Sequence, residues 1–281
     1  MSQGPFETFA ARPASRKEQL ANAYALVVAS QLSYRRAEGG EDLAKPVRDQ
    51  LGEWGFRDAD FIGWEEGRQR FMKTRSANTQ AFTARGDGFW LVCFRGSDML
   101  GDWFTNSMFT QSEDGPFGRV HSGFLAALNE PSGDGTVLGR ILATVAPAAR
   151  ESSLPVYVTG HSLGGACATL AAAYLHQRGV DVAGVYTYGC PRVGDATFAQ
   201  EYDGGLKSVT HRFVNGEDWV TDLPRTEYSH VGTSWVIRDG VVGESDDGPS
   251  ADGQDFGLIG ELEDHDTQKY VDALEKAWRE G

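Results

Sequence analysis

The chain has 281 residues, 40 % of them hydrophobic and 11 % aromatic, enough apolar side chain for a folded core and too much for a disordered or fibrous chain. One large domain is expected, because an α/β sheet can run to this length without dividing. Forty acidic against 26 basic residues give a net charge of -14, so the surface repels nucleic-acid phosphates and anionic membrane faces, and no nucleic-acid partner is expected.

Residues 1–18 mix Gly4, Pro5, Pro13, charges and polar groups without a period, and read as a mobile leader arm outside the core. Residues 19–281 then form the single domain. The stretch 20–32 follows Arg12, Arg16 and Lys17, a layout that resembles a signal peptide. Within it, however, Leu20, Ala23, Tyr24, Val27, Val28 and Gln31 fall at helical spacing, which predicts a core helix. No run reaches the ~20 apolar residues that an integral membrane segment requires.

Residues 80–83 and 89–94 are short β-type runs separated by Arg85-Gly86-Asp87-Gly88, the pattern of a hairpin. Further strands are predicted at 156–159, 182–188, 211–214 and 234–237, the first two each followed by a helix-length segment. Strands alternating with helices specify an α/β fold, a mostly parallel central sheet with helices on both faces. Residues 239–260 are rich in glycine and aspartate and read mostly as loop. Asp246, Asp247, Asp252 and Asp255 lack the spacing of a helix-flanked calcium loop, so no metal is expected. The three cysteines are too few for a disulfide framework. Cys93 and Cys190 lie in apolar runs and Cys167 on an alanine-rich helix, which reads as buried free thiols of a soluble, cytoplasmic protein.

Gly160-His161-Ser162-Leu163-Gly164 has the form G-x-S-x-G, with the apolar strand 156–159 before it and a helix over about 165–178 behind. That context is what a serine nucleophile needs. The serine must stand on a strained strand-to-helix turn, and glycines at 160, 164 and 165 let the neighbouring backbones approach. A serine hydroxyl also needs a base, and in this architecture the order is serine, acid, histidine. Of six histidines only His230 and His265 lie far enough beyond Ser162. His230 precedes the strand 234–237, where an imidazole usually serves structure. His265 follows the last strand and opens the final helix, so it can reach the carboxyl ends of the strands, and is taken as the base. Asp218, just past the strand 211–214, is the acid that orients it, with Asp222 the alternative; Asp195 and Asp203 read as surface groups near a helix starting at Ala196.

These residues carry a resemblance to a known family. Phe94-Arg95-Gly96-Ser97, Val120-His121-Ser122-Gly123-Phe124, Gly160 to Ala166 reading GHSLGGA, and Gly189-Cys190-Pro191-Arg192-Val193-Gly194 occur in this order. The sequence resembles, over about 21–270, the class 3 lipases, the α/β-hydrolase family of fungal triacylglycerol lipases and their bacterial relatives. Asn215 to Val220 with Leu223-Pro224 looks like the family's acid motif, Tyr228 to Gly232 like its structural histidine, and Asp264-His265 with Tyr270 like its terminal histidine motif, altered around Asp266 and Thr267. The resemblance implies an oxyanion hole from the backbone NH and hydroxyl of Ser97 and the backbone NH of Leu163, each donor worth about 3 kcal/mol in the transition state. Without the resemblance, Ser97 reads as a turn residue.

After Ser97, the side chains of Met99, Leu100, Trp103, Phe104 and Met108 share one side of a helical projection, opposite Asp98, Gly101, Asp102, Thr105 and Asn106. A short lid over 98–109 is expected, the alternative being an ordinary core-facing helix. Together these features predict a lipase-type serine carboxylic-ester hydrolase acting through an acyl-enzyme, without cofactor, on acylglycerol-type or small esters, some at an oil–water interface. A short-chain or feruloyl-type carboxylesterase is the near alternative. A phospholipase fits the acidic surface less well. A non-catalytic hydrolase-like binding protein typically lacks a triad member, and none is missing here.

Overall fold

The computed structural model describes residues 4–37, 42–64, 79–97, 110–238, 240–245 and 261–280. Eight strands form the central sheet: β1 (Arg57–Ile62), β2 (Ala81–Arg85), β3 (Trp90–Phe94), β4 (Val156–His161), β5 (Val182–Tyr188), β6 (Thr210–Asn215), β7 (Thr233–Arg238) and β8 (Val241–Ser245). They lie side by side in chain order. The pairs from β3 to β7 are parallel, while β1–β2, β2–β3 and β7–β8 are antiparallel. The predicted hairpin is β2–β3, paired from Ala81 opposite Phe94 to Arg85 opposite Trp90.

Parallel strands need long crossovers, and the helices that supply them cover both faces. Helices α3 (Ser122–Leu128), α4 (Val137–Ser152), α5 (Leu163–Gln177) and α6 (Ala196–Leu206) pack on one face. Helices α1 (Arg16–Leu32), α2 (Lys45–Glu53) and α7 (Thr267–Glu280) pack on the other. The period of two along β3 sends Trp90, Val92 and Phe94 into the first core and Leu91 and Cys93 into the second. Burying each such side chain contributes about 1.5–3 kcal/mol.

The helix predicted from residues 20–32 is α1. It opens one turn earlier on a capping box, in which Ser15 Oγ accepts from the Glu18 N–H at 3.2 Å and the Glu18 carboxylate accepts from the Ser15 N–H at 3.1 Å. Two elements depart from expectation. Strand β1 carries exposed Arg57 and Asp58 and half-buried Asp60 on a sheet edge, so it shows no apolar alternation. Strand β8 occupies the start of the segment expected to be mostly loop, as the other edge.

The leader arm also differs from its expectation. Phe6 and Phe9 pack among Phe56, Phe89 and Tyr157, with Phe6 edge-on to Phe56 at 4.8 Å and Phe9 stacked on Phe89 at 4.2 Å. The fully buried Asn22 amide pairs with both main-chain groups of Ala10, each at 2.8 Å. Two phenylalanines seven and ten residues ahead of a helix form no periodic pattern, yet they add apolar area to the second core beside the start of β3 and β4. The lid segment 98–109 and the acidic loop 246–255 lie outside the described residues.

Candidate active site

Strand β4 ends at His161 and α5 begins at Leu163, leaving Ser162 on the turn between them with φ 58° and ψ -127°. A non-glycine residue held there costs on the order of 1–3 kcal/mol, which the flanking strand and helix impose. The Ser162 N–H donates to the Tyr188 carbonyl at 2.9 Å, and the Ser162 carbonyl accepts from the Gly165 N–H at 2.9 Å. Any side chain at 160 would meet the Gly164 carbonyl at 2.2 Å, and one at 164 would meet the Phe94 carbonyl at 2.5 Å. The two glycines are therefore steric requirements of the turn.

Past the end of β6, Asp218 is buried and points at the imidazole of His265, which lies in the turn before α7. His265 Nδ1 lies 2.9 Å from Asp218 Oδ1 and 2.8 Å from Oδ2. A carboxylate only accepts, so Nδ1 carries a proton, which leaves Nε2 as the ring nitrogen able to accept one. Asp218 Oδ1 also accepts from the Val220 N–H at 3.1 Å, and Oδ2 from the Tyr270 hydroxyl at 2.6 Å. Burial alone would raise the Asp218 carboxyl, but the charge and hydrogen bond of His265 and the Tyr270 hydroxyl hold it below its ordinary value. Ser162 Oγ and His265 Nε2 are buried without a hydrogen-bond partner among the described residues. These are the two atoms between which a nucleophile's proton would pass, and such contacts are often loose before substrate binds.

The turn holding His265 is stitched to the acid loop. Asn215 Nδ2 donates to the Asp264 carbonyl at 3.1 Å, and the Glu217 N–H donates to Asp264 Oδ2 at 3.0 Å. Gly189, at the end of β5 with φ 56°, backs the pair: a side chain there would lie 2.6 Å from Asp218 Oδ2 and 2.8 Å from the His265 ring. Burial and the negative charge of Asp218 push the Tyr270 hydroxyl well up, so it stays a donor to Asp218 while accepting the Asn215 N–H at 3.0 Å. Sequence reasoning assigned no role to Gly189 or Tyr270; five residues after His265 on a helix, Tyr270 carries no signal that its hydroxyl turns back to the acid.

The alternatives for acid and base sit elsewhere. Asp222 pairs with Arg192 at 3.5 Å, and burial raises its carboxyl. Burial and the charges of Arg212 and Arg192 hold the His230 imidazole well below its ordinary value, which leaves it neutral. Asp195 caps α6 through the Phe198 N–H, and Asp203 accepts from the Gly232 N–H. Leu163 is the first residue of α5, and Phe94 pairs with Gly160, so the chain through Gly96 to Ser97 leaves β3 directly beside the serine turn.

A family model described as Lipase (class 3) matches residues 91–228, a span that includes both Ser162 and Asp218. That stretch of the chain belongs to the class 3 lipase family. A lipase of Rhizomucor miehei is 36 % identical over 184 residues, 60 % of this chain and 49 % of that protein. A secreted mono- and diacylglycerol lipase of Fusarium solani is 41 % identical over 152 residues, 51 % of this chain and 42 % of that protein. The solved triacylglyceride lipase of Rhizomucor miehei superposes with a TM-score of 0.62 at 28 % identity, covering 82 % of this chain and 83 % of that one. The chain thus spans about half the length of these curated relatives and has the α/β-hydrolase fold of the solved one.

The expectation of a cytoplasmic protein is overturned by these relatives, since the Fusarium solani one is named a secreted lipase. The expectation rested in part on free thiols, and all three are buried. Burial pushes the thiols up, Cys190 to about 12, so they stay protonated and unreactive in an oxidising compartment as well. Free cysteines in this core carry no information about location. Among the described residues no helix is long and apolar enough to cross a membrane.

Proposed function

We propose that the protein is a serine carboxylic-ester hydrolase, a lipase acting on acylglycerol-type esters, with Ser162 as nucleophile, His265 as base and Asp218 as the acid that orients it. Ser162 Oγ attacks the ester carbonyl carbon as its proton passes to His265 Nε2. The carbonyl oxygen becomes an oxyanion facing the N–H groups of Ser97 and Leu163 and the Ser97 hydroxyl. Collapse breaks the bond to the alcohol, which leaves with the proton from His265. Water then attacks the acyl-enzyme, giving its proton to the same nitrogen, and the fatty acid departs as Ser162 recovers its proton.

The observation that carries this reading is the buried His265–Asp218 pair at 2.8 Å, whose geometry leaves Nε2 as the proton acceptor. The positive φ of Ser162 supports the nucleophile, because strain of that kind exposes a hydroxyl on a sharp strand-to-helix turn. Lipid ester substrates fit the family. Ser162→Ala is expected to lower turnover of a nitrophenyl ester by about 10⁶-fold with an unchanged fold. The wild type should also label at Ser162 with a fluorophosphonate. A variant that kept a tenth of the wild-type rate would refute the assignment, and rates across an acyl-length series, with and without emulsified triglyceride, separate a lipase from a short-chain esterase.

A further inference from the structure

His161 immediately precedes the nucleophile, and its ring turns away from Ser162 toward the chain that carries the base. Its Nε2 lies 2.8 Å from the backbone carbonyl oxygen of His265. Its Nδ1 lies 2.8 Å from the Tyr34 hydroxyl and 3.2 Å from the Thr267 hydroxyl. A carbonyl can only accept, so the proton of a neutral ring must sit on Nε2, and the lone pair on Nδ1 then receives the hydroxyl hydrogens. The ring is 3 % exposed, and its centroid is 4.5 Å from that of His265. Burial and the neighbouring His265 push its pKa down to about 3, so it is neutral wherever the enzyme would work.

We propose that His161 is a positioning residue for His265: with its proton fixed on Nε2 by Tyr34 and Thr267, it tethers the main chain of the base while Asp218 holds the ring. This rests on the reading of His265 as the base. His265 needs such a tether because it lies in the turn between the short helix Glu261–Asp264 and α7, outside any run of regular hydrogen bonds. Asp218 grips only the far end of the side chain, and a ring held at one end can swing about its Cα–Cβ bond. Fixing the carbonyl as well sets both ends. Neutrality matters equally, since a charged ring at this distance would oppose the imidazolium that His265 becomes in each half of the reaction.

The test uses the whole chain. Nitrogen-15 spectra of the imidazoles between pH 5 and 8 should show His161 neutral with its proton on Nε2; a proton on Nδ1, or a charged ring at pH 5, overturns the proposal. His161→Gln carries an amide N–H out to about the Nε2 position, whereas His161→Asn keeps a polar group near Nδ1 but is too short to reach the His265 carbonyl. His161→Asn should lower kcat on a soluble nitrophenyl ester by about 10- to 100-fold with KM within about twofold, the size of loss expected from misplacing a reacting group by an ångström. His161→Gln should recover most of that loss. Equal losses in both variants, or a change confined to KM, would mean that the ring only fills space. Fluorophosphonate labelling separates the two readings: if the wild type does not label at Ser162, the triad itself is wrong, and if His161→Asn labels at the wild-type rate, only the tether is.

Discussion

At the scale of single residues, the site depends on side chains that are absent as much as on those present. Gly189 leaves the room that the Asp218 carboxylate and the His265 ring occupy, at a positive φ that other residues adopt with strain. Gly189→Ala is therefore expected to push the pair apart and cut kcat by about 10- to 100-fold, as a misplaced catalytic group does. If kcat and the melting temperature both stay at wild-type values, the pair does not rest on this glycine. The two downstream histidines should separate cleanly. His265→Ala should lose several orders of magnitude in activity at an unchanged melting temperature, because among the described residues the ring hydrogen-bonds to Asp218 alone. His230→Ala should instead lower the melting temperature and keep most of the activity; the reverse pattern would move the base to His230.

At the scale of elements, strand ends and helix starts carry the three residues proposed to react. Strand β4 and α5 form the serine turn, β6 leads to Asp218, and the turn ahead of α7 holds His265. The segment 98–109 follows Ser97 in the chain, and its proposed role as a lid rests on its amphipathic sequence pattern. A closed lid would shield Trp103 and Phe104 from water, each worth about 1.5–3 kcal/mol, and a lipid surface would replace that burial on opening. Replacing both with serine should raise activity on soluble short esters and lower it on emulsified triglyceride. A parallel loss of both activities would identify the segment as a fixed wall.

At the scale of the whole molecule, several imidazoles are folded in as neutral groups. Burial lowers His121 and His211 to about 4 and, with the charge of His265 beside it, His161 to about 3, against an ordinary value near 6.5. Between those values the unfolded chain binds protons that the native state does not, so stability rises with pH through this window. It is complete above about pH 6.5 and is lost as the pH falls toward 4. His211, whose Nδ1 accepts from Trp235 Nε1 at 3.1 Å, is the simplest to test. Urea unfolding of His211→Gln between pH 6 and 5 should show a pH slope smaller than wild type by up to about 1.4 kcal/mol per pH unit. An unchanged slope would show that His211 is charged in the native state.

Much of this protein is local in origin and was therefore legible in its sequence. The serine turn is specified by contiguous residues, since Gly160, Ser162, Gly164 and Gly165 act on one another within one turn of chain. The inner strands are legible because both faces are buried, so their composition alone marks them. Chain order and the family likeness single out Asp218 and His265, and the fold places the two side chains in one buried pair. What only the tertiary structure decided are contacts between distant segments. The arm's phenylalanines join the second core with no period to announce them, and β1 and β8 are half-exposed edges whose sequences need not alternate. The second supports of the site are of the same kind. Tyr270 on Asp218, Gly189 behind the His265 ring and Tyr34 on His161 each join residues far apart in the chain, and their side chains acquire a role only when the fold supplies the partner.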